Sequence, residues 1–141
     1  MAHTGHCFCG KAQYRIDADP VGARTCWCRD CQYIASGSAT NNVLFPADAA
    51  HFEGTVHTVE KLADSGRRIE RGFCSECGSH LYARTQDVPS VPIRIRAGTL
   101  DNPELKAPAD VIWTSSAPSW AVIDPDLPSF PKQPPPPPKT D

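Results

Sequence analysis

The stretch Cys74-Ser75-Glu76-Cys77-Gly78 separates two cysteines by two residues and places a glycine directly after the second. Two thiolates at this spacing can meet on one metal ion across a tight turn, and glycine readily adopts the positive φ that such a turn needs. The stretch therefore predicts one half of a metal site, whose other ligands must come from elsewhere in the chain.

The other five cysteines lie in two clusters, Cys7-Phe8-Cys9-Gly10 and Cys26-Trp27-Cys28-Arg29-Asp30-Cys31. In an extended strand the sulfur atoms of Cys7 and Cys9 would stand too far apart for one tetrahedral edge, so a bend is required, and Gly10 makes it easy. A closed structural zinc site takes four ligands, whereas a catalytic zinc keeps three and leaves one position open. Seven cysteines therefore predict two sites, one built from the two cysteine pairs and the other from Cys26, Cys28 and Cys31.

Other divisions of the seven thiols are also possible from the sequence. Cys26 and Cys28 could join Cys74 and Cys77 and leave the remaining cysteines free. A disulfide framework is disfavoured because the count is odd and the amino terminus has no apolar secretory segment. In the favoured division, the closed zinc joins residues about 65 positions apart and stabilises the fold by a free energy on the order of 10 kcal/mol.

Length and charge narrow the class of protein. A chain of 141 residues suits one domain, and a net charge of −2 indicates no general affinity for nucleic acid. No run approaches the roughly 18 apolar residues of a membrane span. We expect a cytoplasmic protein that binds neither membrane nor nucleic acid, in a compartment where thiols stay reduced. The sequence does not predict an oligomeric state.

Proline use divides the chain. Of its 15 prolines, 8 lie from Pro125 onward, including the run from Pro134 to Pro138. Such a composition favours polyproline II and cannot bury a core. We expect a zinc-binding domain over residues 1–130 and a flexible Pro-rich tail over residues 131–141.

The sequence pattern of the domain predicts a mainly β fold. Apolar residues alternate with polar ones around Tyr14 and again over 91–98, which is the pattern of half-buried strands. The prolines at 89 and 92 place the second strand at a sheet edge or limit its pairing to the later residues. Shorter strands are predicted at 42–45, 55–61, 68–73 and 81–84. Helix is scarce, with single turns predicted at 46–50 and 115–120.

Four stretches together resemble the glutathione-dependent formaldehyde-activating enzyme family, which also includes the globular domain of centromere protein V. The resemblance runs in order over residues 5–130. It implies a β-tent fold with few helices, a structural zinc held by Cys7, Cys9, Cys74 and Cys77, and a catalytic zinc held by Cys26, Cys28 and Cys31. The stretches are Gly5-His6-Cys7-Phe8-Cys9-Gly10 with Tyr14, Cys26-Trp27-Cys28-Arg29-Asp30-Cys31-Gln32, Phe73-Cys74-Ser75-Glu76-Cys77-Gly78-Ser79-His80-Leu81, and Gly98-Thr99-Leu100-Asp101.

Three thiolates give an open zinc site a local charge of −1, so the zinc is a weaker Lewis acid than one held by three neutral histidines. A substrate thiol is then a better fourth ligand than water. With the resemblance, this indicates a zinc-dependent carbon–sulfur lyase acting on a glutathione-type thiol adduct of formaldehyde or another small electrophile. The alternative is a non-catalytic zinc module that serves as a thiol carrier or a protein-interaction domain.

Groups that could assist at the open site are less distinctive. Arg29 could attract a carboxylate of glutathione, and Asp30 and Glu76 could relay a proton. The simpler interpretation of each is a side chain on the protein surface. The related motif usually has a small or polar residue where this chain has Trp27, so we expect the indole to reshape the pocket. Four histidines are predicted to lie outside the metal shells, namely His6, His51, His57 and His80. Three arginines are predicted to lie on a solvated strand face, namely Arg67, Arg68 and Arg71.

Overall fold

The computed structural model describes residues 2–135, which form ten strands, one short α-helix and two 3-10 turns. The 3-10 turns span Ala97–Thr99 and Thr114–Ser116. The other elements, in chain order, are β1 His3–His6, β2 Ala12–Ile16, β3 Gly22–Cys26, α1 Arg29–Ile34, β4 Thr40–Phe45, β5 Ala50–Gly54, β6 Val56–Leu62, β7 Arg68–Cys74, β8 His80–Thr85, β9 Ile93–Arg96 and β10 Val111–Ile112.

The strands form two sheets. A small sheet has the order β1-β2-β5, and a large sheet has the order β10-β3-β4-β9-β8-β7-β6. All neighbours pair antiparallel except β10, which runs parallel to β3. The prediction of a mainly β fold with few helices is confirmed.

The main core contains residues from both sheets. On β2 the buried positions are Ala12, Tyr14 and Ile16, at most 4% exposed, and the residues between them are exposed, as the alternation predicts. Phe45 and Ile93, paired across β4 and β9, contribute to the same core. Each large apolar side chain buried here stabilises the fold by about 1.5–3 kcal/mol relative to an exposed one.

The strand around Ile95 lies in the middle of the large sheet, between β4 and β8, and not at an edge. Its paired residues begin at Ile93, after both prolines. Because Pro92 precedes the first paired residue, no hydrogen bond of the ladder is lost. The prediction that the prolines limit the pairing to later residues is therefore the correct one of the two.

The two predicted single turns are present in part. Residues 46–50 form a turn closed by the Ala49 amide on the Pro46 carbonyl at 3.1 Å, and Ala50 already begins β5. Of residues 115–120, only the first two belong to a 3-10 turn, which starts at Thr114. The α-helix lies instead at the middle cysteine cluster and begins at Arg29.

No helix in residues 2–135 is long and apolar enough to cross a membrane. The beginning of the proline-rich segment packs against the domain: the Ser115 amide donates to the Pro131 carbonyl at 3.1 Å, and the Trp113 indole donates to Gln133 Oε1 at 3.2 Å. The rest of the predicted tail, residues 136–141, lies outside the described residues.

Candidate metal centres

Two groups of cysteine side chains are brought together by the fold. In each group, all sulfur atoms lie within 4.8 Å of one another. The first group contains Cys7, Cys9, Cys74 and Cys77, and the second contains Cys26, Cys28 and Cys31. Across residues 2–135 neither group includes a histidine or a carboxylate.

The four-cysteine group joins the two sheets. Cys7 and Cys9 lie in the turn between β1 and β2 of the small sheet, whereas Cys74 ends β7 of the large sheet and Cys77 lies in the turn before β8. The required bends are present: Gly10 has a φ of 81° and Gly78 a φ of 79°. Backbone hydrogen bonds close both turns.

Hydrogen bonds to the sulfur atoms of Cys74 and Cys77 favour the thiolate form of these two residues. The Thr55 hydroxyl lies 3.1 Å from Cys74 Sγ and is the main cause that lowers the pKa of that thiol. The hydroxyl and the backbone of Ser79 lower the pKa of Cys77 to about 5. The Ala12 amide donates to Cys7 Sγ at 3.3 Å. These donors orient the sulfur atoms as they would orient metal ligands.

The spacing of the sulfur atoms fits a tetrahedral ion. With zinc–sulfur distances of about 2.3 Å, the edge of a sulfur tetrahedron is about 3.8 Å long. The sulfur atoms of Cys7 and Cys9 are 3.5 Å apart, and those of Cys9 and Cys74 are 3.7 Å apart. Four thiols at this spacing could hold a metal ion that prefers tetrahedral sulfur ligands, as zinc does.

The three-cysteine group forms where β3 meets α1. Cys26 ends β3, Cys28 is the N-cap of α1, and Cys31 lies in its first turn. The cap is made by sulfur: the Cys31 amide donates to Cys28 Sγ at 3.4 Å. Ser, Thr, Asp or Asn usually fills this N-cap position. The cap turns the chain at Cys28, so the three cysteines within six residues point to one position.

Burial and mutual hydrogen bonding make the three thiols interdependent. Cys26 and Cys31 are 8% and 5% exposed. Hydrogen bonds from Cys26 and Cys28 lower the pKa of Cys31 to about 2, and hydrogen bonds to Cys28 and Cys31 followed by burial raise that of Cys26. Three such thiols cannot all ionise together unless a cation neutralises them. The donor set therefore suits a soft metal ion with one coordination position left over.

The family model of the glutathione-dependent formaldehyde-activating enzymes matches residues 2–116. The chain belongs to this family. A Halomonas elongata protein named "Putative glutathione-dependent formaldehyde-activating enzyme" is 27% identical over 133 residues, covering 88% of this chain and 82% of the relative.

A crystal structure of a Rhodobacter sphaeroides protein has the same fold, with a TM-score of 0.57 and 12% identity. The match covers 90% of this chain and 98% of that one. Both sheets and both cysteine groups lie within residues 2–116, the part of the chain that the family model matches.

The side chains that the sequence suggested as assistants at the three-cysteine group lie in different places. Glu76 is exposed, and its amide contacts Cys74 Sγ of the four-cysteine group. It therefore does not belong to the three-cysteine group, where we had considered it as a proton relay. Arg29 is exposed on α1, where it donates to Gln32 Oε1 at 2.6 Å and lies over the Tyr33 ring. Asp30 forms ion pairs with Lys61 and, at 3.6 Å, with Arg71, which attach α1 to β6 and β7.

Trp27 does not line the three-cysteine group, contrary to our expectation. It is 5% exposed and packs with Ala39 and Val111 in a separate apolar cluster. Cys26 and Cys31 pack instead against Ile112 and Trp113. Adjacent residues at this position point in different directions, so the bulky side chain fills core space and leaves the cysteine group unobstructed.

Sequence reasoning missed a group of buried cationic residues behind the three cysteines. Arg71 and Arg96 are each 8% exposed, and Arg94 is also largely covered. The prediction of a solvated strand face fits Arg67 and Arg68, which are exposed, but it is wrong for Arg71. Alternation shows that a strand has two faces, but it does not show which face another element covers. Here α1 packs over Arg71, and Asp30 reaches it at 3.6 Å.

Proposed function

We propose that the protein is a cytoplasmic, zinc-dependent carbon–sulfur lyase that acts on a thiol adduct of formaldehyde or of another small electrophile, with a glutathione-type thiol as the partner. The observation that supports this most strongly is the buried three-cysteine group, whose donor set is complete except for one ligand. Membership of the formaldehyde-activating family supports the choice of thiol and aldehyde.

We assign different roles to the two groups. Cys7, Cys9, Cys74 and Cys77 hold a structural zinc, because four ligands leave no position for a substrate. Cys26, Cys28 and Cys31 hold a catalytic zinc. When bound there, zinc supplies a site at which a substrate sulfur is stabilised as thiolate. The chain thus binds two zinc ions.

The protein's own residues position and shield the reacting group. The cap by Cys28 fixes the direction of α1, and the ion pairs of Asp30 hold the helix on the sheet. Burial of Cys26 and Cys31 against Ile112 and Trp113 excludes water from one side of the group. This shielding strengthens electrostatic interactions with the substrate.

The reaction balances without any redox partner. In the lyase direction, the hydroxyl group of the adduct loses its proton to a base, and its oxygen forms the aldehyde carbonyl. The carbon–sulfur bond breaks, and its electron pair remains on the sulfur, which leaves as thiolate. In the reverse direction the thiolate attacks the carbonyl carbon from about 3–3.5 Å, and the oxygen takes up a proton.

The test is exchange spectroscopy with ¹³C-formaldehyde and glutathione, in which the rate of adduct exchange is measured with and without the zinc-loaded protein. We expect faster exchange with the wild type and no acceleration with Cys28→Ser. Serine retains a helix-capping oxygen but is a poor zinc ligand, so the fold is kept while the metal site is lost. Retention of about one zinc per chain in the variant checks this.

Equal exchange rates with and without the wild-type protein, over several thiols and aldehydes, would contradict the lyase proposal. Thiol binding without any acceleration would indicate the alternative, a zinc module that carries a thiol.

A further inference from the structure

Four buried nitrogen atoms behind the three-cysteine group have no hydrogen-bond partner. They are Arg71 Nε, His80 Nδ1, and Nε and Nη2 of Arg96. Within residues 2–135 only one other side-chain atom is in this condition, Arg84 Nε, on a residue paired with Glu70. Buried donors without an acceptor are rare in folded proteins, so a cluster of them indicates a missing partner.

The sheet register places the arginines together. Arg96 pairs with Asn42 across β9 and β4, Arg94 pairs with Ala83 across β9 and β8, and Ala83 pairs with Arg71 across β8 and β7. Cross-strand partners point to the same face of a sheet, and residues two apart on a strand also share a face. All three guanidinium groups therefore project from one face of the large sheet.

The three-cysteine group lies on the same face. Arg24 pairs with Asn42, and Cys26 follows two residues later on β3, so Cys26 points to the side of the sheet from which Arg96 projects. Asp30, between Cys28 and Cys31, reaches Arg71 at 3.6 Å. His80 pairs with Phe73, which lies two residues after Arg71 on β7, so its ring shares this face, and burial followed by the charges of Arg96 and Arg71 lowers its pKa.

Charge around this position is unbalanced. The three guanidinium groups on this face accompany one carboxylate, Asp30, which Lys61 also contacts. Buried cationic groups therefore outnumber carboxylates here, and a buried charged group whose donors lack an acceptor is costly. A carboxylate of the substrate would reduce this excess and supply the missing acceptor.

The free edge of Arg96 has the shape that a carboxylate requires. Its Nη1 is already used, donating to Asn42 Oδ1 at 2.6 Å. The two donors left over, Nε and Nη2, lie on the same edge of the guanidinium plane and can meet both oxygens of one carboxylate. The bond to Asn42 holds the guanidinium in place, so that edge is preorganised.

We propose that the free edge of Arg96, assisted by Arg71 and His80, binds a carboxylate of the thiol substrate beside the three-cysteine group. This inference rests on the proposed function, since it names the part of the substrate that the site recognises. Selection then has two parts: the cysteine group binds the sulfur, and the cationic cluster binds the carboxylate. A thiol without a carboxylate satisfies only the first.

The experiment measures binding to the zinc-loaded full-length protein by calorimetry, with glutathione and with its diester, in which both carboxylates are blocked. We expect the wild type to bind glutathione at least about tenfold more tightly than the diester. Arg96→Met should remove this difference by weakening glutathione binding alone. Arg68→Met, which removes an exposed arginine from β7, should leave both affinities unchanged.

The zinc content of each variant is measured alongside. Equal wild-type affinity for the acid and the diester overturns the carboxylate site while leaving the proposed function in place, and this comparison holds even if Arg96→Met does not fold. Loss of the second zinc from a folded Arg96→Met also overturns it, because Arg96 would then serve as a counter-charge for the cysteines. If neither glutathione nor its diester binds, the result contradicts both the proposed function and the inference.

Discussion

Gly5 lies where β1 approaches the turn Ala97–Thr99, and the space there admits no side chain. A Cβ atom on Gly5 would lie 2.2 Å from the Tyr14 hydroxyl oxygen and 2.4 Å from the Thr99 carbonyl oxygen. The same hydroxyl is 2.8 Å from Thr99 Oγ1. These contacts give a structural reason for finding Gly5, Tyr14 and Thr99 in the stretches that resemble the family.

We predict that Gly5→Ala lowers the free energy of unfolding by about 3 kcal/mol, because the backbone carbonyl of Thr99 cannot move aside without shifting the chain. Gly98→Ala is the matched control, since a Cβ there would meet nothing within 4 Å. Its effect should stay within about 1 kcal/mol. Denaturant titration of the zinc-loaded proteins measures both, and equal losses would contradict the packing argument.

At the scale of elements, α1 joins the cysteine group to the sheet. The helix has six residues, too few to be stable without tertiary contacts. Its sulfur cap and the ion pairs of Asp30 supply these contacts. Loss of either attachment should therefore loosen the ligands before it affects the rest of the fold.

We predict that Asp30→Asn speeds amide hydrogen exchange in α1 and lowers the free energy of unfolding by about 1–3 kcal/mol, because it leaves the buried guanidinium of Arg71 without its carboxylate. Asp48→Asn, an exposed change in the turn before β5, is the control. Exchange in residues 29–34 at the wild-type rate would show that Asp30 does not anchor the helix.

The sequence was informative where a short pattern has one physical meaning. Alternation around Tyr14 identified β2, and the cysteine spacings indicated the two groups that the fold assembles. It did not reveal α1, because six residues are too short to show a helical period and a cysteine is an unusual cap. Nor did it reveal the burial of Arg96, which depends on what another element covers.

At the scale of the whole molecule, the four-cysteine group joins two sheets that also share the main apolar core. Cys7 and Cys74 are fully buried there, although 67 positions separate them in the sequence. The three-cysteine group, by contrast, is built from one continuous stretch of chain. A metal at the first group constrains the global fold, and a metal at the second constrains only a local one.

We predict that Cys74→Ser unfolds or aggregates the protein, whereas Cys28→Ser stays folded and retains about one zinc per chain. Circular dichroism and metal analysis by emission spectroscopy measure the two effects. Similar damage from both substitutions would contradict the assignment of one structural and one catalytic site.

The most direct measurement is X-ray absorption at the zinc edge, with and without glutathione. We expect an average of three and a half sulfur ligands per zinc, because the proposal divides seven cysteine sulfurs between two zinc ions and completes one of the two sites with an oxygen or nitrogen. Glutathione should raise the average to four sulfur ligands and remove the lighter atom. A sulfur count that does not change on adding saturating glutathione would contradict the proposal that the three-cysteine group binds a substrate thiol.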